Sequence, residues 1–451
     1  MVEQCRVAFA RPLQALLVAL CFYAAAPSVQ AQGIIRDADI ERGLRELAKP
    51  LIVAAGLNPS QIRVIVVNSP KLNAFVVDSR HIFLYAGLIS KVQRAEELQA
   101  VIAHELAHIA NGHLARRMNN LNTSNLAARF GFLLAVALAA ATGDGEAAAA
   151  GIGVASSANR RFFAHTRAEE ASADQSALRY MAIARIDPQA AADVLEYFRG
   201  QEVLPERLVD PYVLTHPLTR DRIRAVEGYA AAYGGNAVND PNADYWFARV
   251  QGKLTAFTRG TAWTLRRTRG DNSEIALMRR AIAYHRVPNR SKSIEAMRAL
   301  LQKRPGDPYY LDLLGQIQLE SREFAAAVNT YSAAANAAPG EPLILAGYGR
   351  ALVARGQAAD LRAALDVLER ARGRDGTAPR MLRDLAVAYA KTGNPGMASL
   401  VTAERYALLG NLKTAWLHAK RAEAQLPRGS RGWIRAQDVL SAARAAGIEE
   451  E

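Results

Sequence analysis

The chain has 451 residues, 50% of them hydrophobic and 22% charged, with a formal net charge of +13. That length holds two or three domains, each with a core of its own. Both cysteines, Cys5 and Cys21, sit at the extreme N-terminus, so the body of the chain has neither a disulfide framework nor a thiolate to ligate metal.

Residues 1–31 read as a secretory leader. Arg6 and Arg11 make a charged start, Leu13 to Ala26 an apolar core, and Val29-Gln30-Ala31 a small-x-small cleavage signal before Gln32. The apolar core is shorter than the ~20 residues that a spanning helix needs, and bulky Leu20 before Cys21 argues against lipoprotein processing. Cleavage leaves a cysteine-free chain of net charge +12 with the periplasm as its expected compartment. There a basic surface points to acidic polypeptide segments or anionic lipid headgroups, and not to nucleic acid.

Residues 36–57 carry helical periodicity. Ile62 to Val67 is a β-branched run, and Phe75-Val76-Val77 pairs with His81 to Tyr85 across Asp78-Ser79-Arg80. The next element is His104-Glu105-Leu106-Ala107-His108, on a segment that Glu96-Glu97 opens and Val101, Ile102, Leu106 and Ile109 make apolar on one side. Positions four apart on a helix differ by about 40° of rotation, so both imidazoles face one ion. Glu105, about 100° from His104, reaches the attacking water without ligating, which is the pattern of a zinc peptidase. An extended substrate would add as a further strand to the strand pair beside this helix.

A catalytic zinc takes three protein ligands and keeps one position open. The extended motif with Gly three residues after the second His and another His three further on fails, because Asn111 and Leu114 hold those slots. His113, about 140° round a continuing helix from His108, reads as a packing or surface residue. Phe130 to Thr142 and Ala147 to Ala158 are two apolar runs, each too short to span a membrane, and read as buried or lid-like helices; contact with a membrane surface is the alternative. The third ligand is then sought on Arg167-Ala168-Glu169-Glu170-Ala171-Ser172-Ala173-Asp174. Glu170 is placed to take the zinc, Asp174 one turn on to accept the outer N–H of a ligand histidine, and Arg167 to support them from one turn before. Ala171 and Ala173 have little bulk, so the two helices can approach closely.

Gly234-Gly235-Asn236 and Asp240-Pro241-Asn242 mark a break. Beyond it, Asp307-Pro308 and Glu341-Pro342 are 34 apart, as are Gly315 and Gly349. Amphipathic stretches at Tyr310 to Glu320 and Phe324 to Ala337 lie between, followed by Pro379 to Thr392, Met397 to Leu409 and Leu412 to Gln425. This is the period of tetratricopeptide repeats, whose stack offers a concave groove to peptide segments or partners.

Together, HELAH, the later R-x-x-E-x-x-A-D, Asn73-Ala74-Phe75, Tyr85-Ala86-Gly87-Leu88-Ile89 and Thr215-His216-Pro217-Leu218-Thr219-Arg220-Asp221-Arg222-Ile223 resemble a known family over roughly residues 40–230. It is that of the BepA-like periplasmic zinc metalloproteases, gluzincin peptidases that also include HtpX and the CAAX prenyl protease. Ala182 to Pro188 departs from the family in lacking a Gly before its Asp-Pro turn. The resemblance implies that Asn73 and His216 are candidates to stabilise the tetrahedral oxygen, with a second option for His216 as a cap on the open zinc position. The expected fold is mainly α: a zincin-like domain with a small β-sheet, then an α-solenoid. The expected division is 1–31 leader, 32–235 metalloprotease domain, 236–290 helical linker and 291–451 repeats, so that a chain cut at about residue 271 would keep a folded zinc domain. The function expected is a periplasmic zinc endopeptidase degrading misfolded or stalled outer-membrane proteins, its repeats recruiting substrate or an outer-membrane assembly complex. The alternative is an assembly chaperone or adaptor whose proteolysis is secondary.

Overall fold

The computed structural model describes residues 33–113, 166–201, 204–205 and 208–448. The leader, His165 and the two apolar runs within 130–158 fall outside the described residues.

β1 (Ile34–Ile35) opens the described chain, and Asp37 then caps α1 (Ala38–Ala54) by accepting from the N–H groups of Asp39 and Ile40. β2 (Arg63–Val67), β3 (Ala74–Val76) and β4 (His81–Tyr85) complete a sheet of order β1-β2-β4-β3. β2 runs parallel to β4, while the outer pairs are antiparallel. The alternation of side chains divides the sheet cleanly. Val64, Val66, Ala74, Val76, Ile82 and Leu84 face the main core, whereas Ile65, Val67, Val77 and Phe83 form a separate cluster on the other face, where Phe75 stacks on Phe83 at 5.1 Å. The two-residue β1 has no signature in the sequence.

α2 (Ala86–Lys91) leads into α3 (Ala95–Ala110), which carries the HELAH segment. From Leu98 to His108 every residue of α3 is buried, so this is a central helix enclosed on all sides rather than one with a single apolar stripe. α4 (Arg167–Ile183), α5 (Gln189–Glu196), α6 (Pro211–Thr215) and α7 (Arg220–Tyr233) finish the layer around it. Ala173 and Ala177, both buried, let α4 approach α3; Ala171 is exposed, contrary to expectation.

α8 (Pro241–Thr258) lies in the segment expected as a helical linker, and it packs on both sides. Ala243, Phe247, Val250 and Leu254 belong to the peptidase core, while Ala256 joins Met278 and Leu300 in the next cluster. Its Gln251 side chain donates to the carbonyls of Ile89 and Val92 at 2.9 and 2.8 Å. α9 (Thr261–Arg267) is followed by antiparallel hairpins: α10 (Glu274–Arg286) with α11 (Arg290–Lys303), α12 (Pro308–Glu320) with α13 (Phe324–Ala337), and α14 (Pro342–Arg355) with α15 (Ala358–Arg374). The last two hairpins join α16 (Pro379–Lys391) to α17 (Pro395–Leu408) and α18 (Leu412–Gln425) to α19 (Arg431–Ala445). The fold is mainly α with one small sheet and a helical-repeat half, as expected. No helix among the described residues is long and apolar enough to cross a membrane.

Candidate metal centre

Thr166 and Glu169 close a capping box, each side chain accepting from the other's backbone N–H, and so fix where α4 begins. The box sets Glu170 and Asp174 on the inner face, where both are buried. On α3, His104 and His108 turn their Nε2 atoms toward each other at 3.1 Å. Glu170 meets both, its oxygens 3.4 Å from His104 Nε2 and 3.3 Å from His108 Nε2. Asp174 Oδ1 stands 2.9 Å from His104 Nδ1, the contact expected of it.

His216 completes the cluster from the turn that ends α6. Its Nδ1 lies 3.0 Å from Glu170 Oε1 and 3.3 Å from His104 Nε2, and its Nε2 lies 3.2 Å from the carbonyl of Ala74 on β3. The turn is held to the strand: Tyr212 N donates to the Leu72 carbonyl, Asp210 accepts from Leu72 N, and the Tyr212 ring lies tilted against His216 at 4.6 Å. Asn73, buried at the foot of β3, has its Oδ1 3.5 Å from Thr215 Oγ1, beside His216.

Two side chains at the centre were not foreseen. Arg222 on α7 reaches Asp174 through Nε and Nη2 at 2.6 and 2.9 Å, and Glu170 through Nη1 at 2.6 Å. It does what was expected of Arg167, which is exposed on the first turn of α4, away from the cluster. The signal for Arg222 was the count of charges: buried Glu105, Glu170 and Asp174 need a cation. His113 is buried, with Nδ1 2.9 Å from Nδ1 of His108. The expectation that it points away assumed a continuous helix. α3 instead ends at Ala110, and Gly112, at φ +66°, turns the chain back.

Burial alone would lower the His104 imidazolium, but Glu170 and Asp174 outweigh it and push it up to about 10. Burial, with His104 beside it, holds His108 well below the ordinary histidine value. Burial would raise Glu170, yet the imidazoles and Arg222 hold it well below the carboxylate range. Burial raises Glu105.

The residues fit a zinc ion. Ligand atoms of His104, His108, Glu170 and His216 all lie within 4.8 Å of one another, and all four side chains are buried. The donors are imidazole and carboxylate, the set zinc accepts in place of thiolate. Glu105, fully buried, has no hydrogen-bond partner on either oxygen among the described residues; His216 Nε2 is 3.5 Å from Oε1. A carboxylate so placed is poised for a water between itself and the cluster.

Fold and centre together define a metallopeptidase domain joined to helical repeats. Residues 35–230 match the model of peptidase family M48, and residues 260–408 match a tetratricopeptide repeat model. The chain is 25% identical over 403 residues to the Beta-barrel assembly-enhancing protease of Yersinia pestis, covering 88% of this chain and 82% of that one. It is 24% identical over 406 residues to the protein of the same name from Escherichia coli K12, covering 88% and 81%. The mitochondrial metalloendopeptidase OMA1 of Bos taurus is 27% identical over 160 residues, 34% of this chain and 29% of that protein. The chain is a zinc-dependent metalloendopeptidase, with an M48 domain followed by tetratricopeptide repeats.

Proposed function

We propose that this chain is a periplasmic endopeptidase that removes misfolded or stalled outer-membrane proteins, with residues 1–31 as its leader. In this reading 32–235 is the catalytic domain, 236–290 joins it to the repeats of 291–451, and the repeats bring substrate or an assembly complex. The name shared by the Yersinia pestis and Escherichia coli relatives supports the substrate class. The observation that carries catalysis is Glu105, buried beside the ligand cluster at the β3 edge of the sheet with neither oxygen hydrogen-bonded among the described residues.

His104, His108 and Glu170 would hold the zinc. When bound, the metal supplies Lewis acidity, lowering the pKa of water and polarising the scissile carbonyl. Glu105 takes the proton of the attacking water and passes it to the leaving amine. Asp174 fixes the His104 tautomer by accepting its Nδ1–H. Asn73 can offer its side-chain amide to the developing oxyanion. A substrate strand added along β3 runs past Ala74, whose carbonyl lies against His216 Nε2.

That contact and the approach of His216 Nδ1 to the ligands favour the capping role: the imidazole would help hold the ion at rest and withdraw when substrate takes the strand edge. His216→Ala should then raise basal cleavage of a peptide at unchanged zinc content. A fall of about 100-fold would instead assign the side chain to the oxyanion.

Purified Glu105→Gln protein should retain zinc and lose cleavage of unfolded β-barrel proteins. If a strain carrying that variant assembles its outer membrane normally, the chaperone or adaptor reading replaces the protease reading.

A further inference from the structure

Between the repeats and the peptidase sheet lies a cavity of about 650 Å³, remote from the metal centre in the residues that line it. One wall is β1 and the start of α1, with Ile34, Ile35 and Arg36; the other is the inner helices α12, α14 and α16 and the end of α17. β1 pairs only with β2 in the sheet, so its second edge is open among the described residues. The wall is strongly basic. Arg36, Arg350, Arg380, Arg383 and Arg405 line it, against Asp37 and Asp312.

Those two acids are already engaged or weakened. Asp37 lies 2.9 Å from Lys253 and caps α1. Burial, with Asp37 and Asp39 close by, pushes Asp312 up to about 7. Of the arginines, Arg36 is paired with Glu41 and Asp375, and Arg350 and Arg383 share Asp384 at 2.7 and 3.0 Å. Arg405 is different: its Nε is buried with no hydrogen-bond partner among the described residues, while its guanidinium carbon lies 5.2 Å from the Tyr406 ring. Arg380 is exposed at the rim. Leu343, half-buried, adds apolar surface to the same lining.

An unsatisfied guanidinium donor on a basic, partly apolar wall calls for an anionic acceptor carried on a chain that also has apolar side chains. The open edge of β1 accepts a strand through backbone hydrogen bonds alone. We propose that this cavity binds an extended peptide segment through its acidic side chains, their carboxylates received by Arg380 and Arg405, and its backbone laid beside β1. The assignment deepens the recruiting role proposed for the repeats and names what they recruit: unfolded segments in which acidic and apolar residues alternate.

The test uses the full chain carrying Glu105→Gln, so that binding is read without cleavage and independently of the peptidase reading. Fluorescence anisotropy compares three labelled ten-residue peptides: alternating acidic and apolar with an amidated C-terminus, the same peptide with Gln and Asn for the acids, and that neutral peptide with a free C-terminus. The acidic amidated peptide should bind, more weakly as salt rises, and Arg380→Gln with Arg405→Gln should weaken it at least about tenfold. Arg380→Lys with Arg405→Lys should keep most of the affinity, which separates lost charge from lost fold. If the Gln double variant fails to fold, the Lys variant and the salt titration of the unsubstituted groove still decide. Equal affinity for the neutral amidated peptide overturns the proposal. So does binding confined to the free C-terminus, or affinity indifferent to salt and to both double variants.

Discussion

Arg222 neutralises Glu170 and Asp174 from within a buried site, so its removal leaves two carboxylates in low dielectric without their cation. Arg222→Ala should destabilise the protein by roughly 3–5 kcal/mol in thermal or denaturant unfolding, the usual cost of halving a buried pair. Arg222→Lys should not recover the wild-type value, because an ammonium cannot make the two-pronged contact with Asp174. Unchanged stability in both would remove Arg222 from the centre. A second expectation concerns protons. In protein stripped of metal, His104 is raised to about 10 by Glu170 and Asp174 after burial is overcome. A raised group stabilises the fold fully below its unfolded value near 6.5 and loses that contribution as pH climbs toward 10. Zinc must displace the same proton, so its apparent affinity should rise by about tenfold per pH unit between 7 and 9. Competition with a chelator across that range would show it, and a flat profile would exclude a protonated His104. His104, His108, Glu170 and Asp174 were legible in the sequence because each pair lies on one helix, where spacing alone decides direction. Arg222 and His113 were not, because their positions depend on turns, at His216-Pro217 and at Gly112, that no helical period encodes.

The loop that delivers Asn73 to β3 depends on a glycine in the following helix. A Cβ on Gly87 would stand 2.2 Å from the Pro70 carbonyl oxygen and 2.3 Å from that of Lys71, both backbone atoms that cannot swing aside. Gly87→Ala should therefore cost roughly 1–3 kcal/mol in unfolding and also lower the peptidase rate, since the displaced segment carries Asn73. The turn after α4 makes a prediction of opposite sign. There this chain holds Arg185 at φ +61°. A side chain in the left-handed region costs roughly 1–2 kcal/mol, less what glycine loses in the unfolded chain. Arg185→Gly should thus raise the melting temperature by about one or two degrees, and a lower one would mean that the exposed arginine makes contacts worth more than the strain. The 34-residue glycine match also gains a cause: Gly315 leaves room for the Tyr331 ring and Gly349 for Leu368, each the large residue of the facing helix. Close helix approach demands a small residue once per repeat, and that demand is visible in sequence. β1 was illegible because two residues carry no alternation.

At the scale of the molecule, two ion clusters join the halves. Asp375, at the end of α15, pairs with Arg36 and with Arg63 on the peptidase sheet. Arg249 on α8, buried, lies 2.6 Å from Asp39 of α1 and 2.8 Å from Asp307 at the start of α12. Burial would raise Asp375, but Arg36 and Arg63 hold it far below the ordinary carboxylate range. Its contribution is complete above the unfolded value near 4 and lost as pH falls below it. Asp375→Ala should remove that contribution at neutral pH and flatten the acid limb of the stability profile, measured by denaturant melts from pH 7 to 3. A variant as acid-sensitive as the parent would place the acid transition elsewhere. The same clusters revise the expectation for a chain cut at about residue 271. Such a chain loses Asp307 and Asp375 and bares Ala256 and its neighbours on α8, so it should melt earlier and bind apolar dyes. Repeat periodicity gave the existence of the second half but could not give its docking, which rests on single residues 339 apart, such as Arg36 and Asp375.

That separation has a consequence in time as well as in space. A polypeptide made N-terminus first delivers Arg36, Asp39 and Arg63 early, and Asp375 only after most of the chain has followed. Closing so long a loop is entropically slow and brings no reward until both ends are present. The contacts that fasten Arg36 and Arg63 to the repeats therefore wait for Asp375, although the sheet and α1 already share the peptidase core. A nascent or broken copy lacks that closure, so the pairs that tie Arg36 and Arg63 to the repeats form only once Asp375 has arrived.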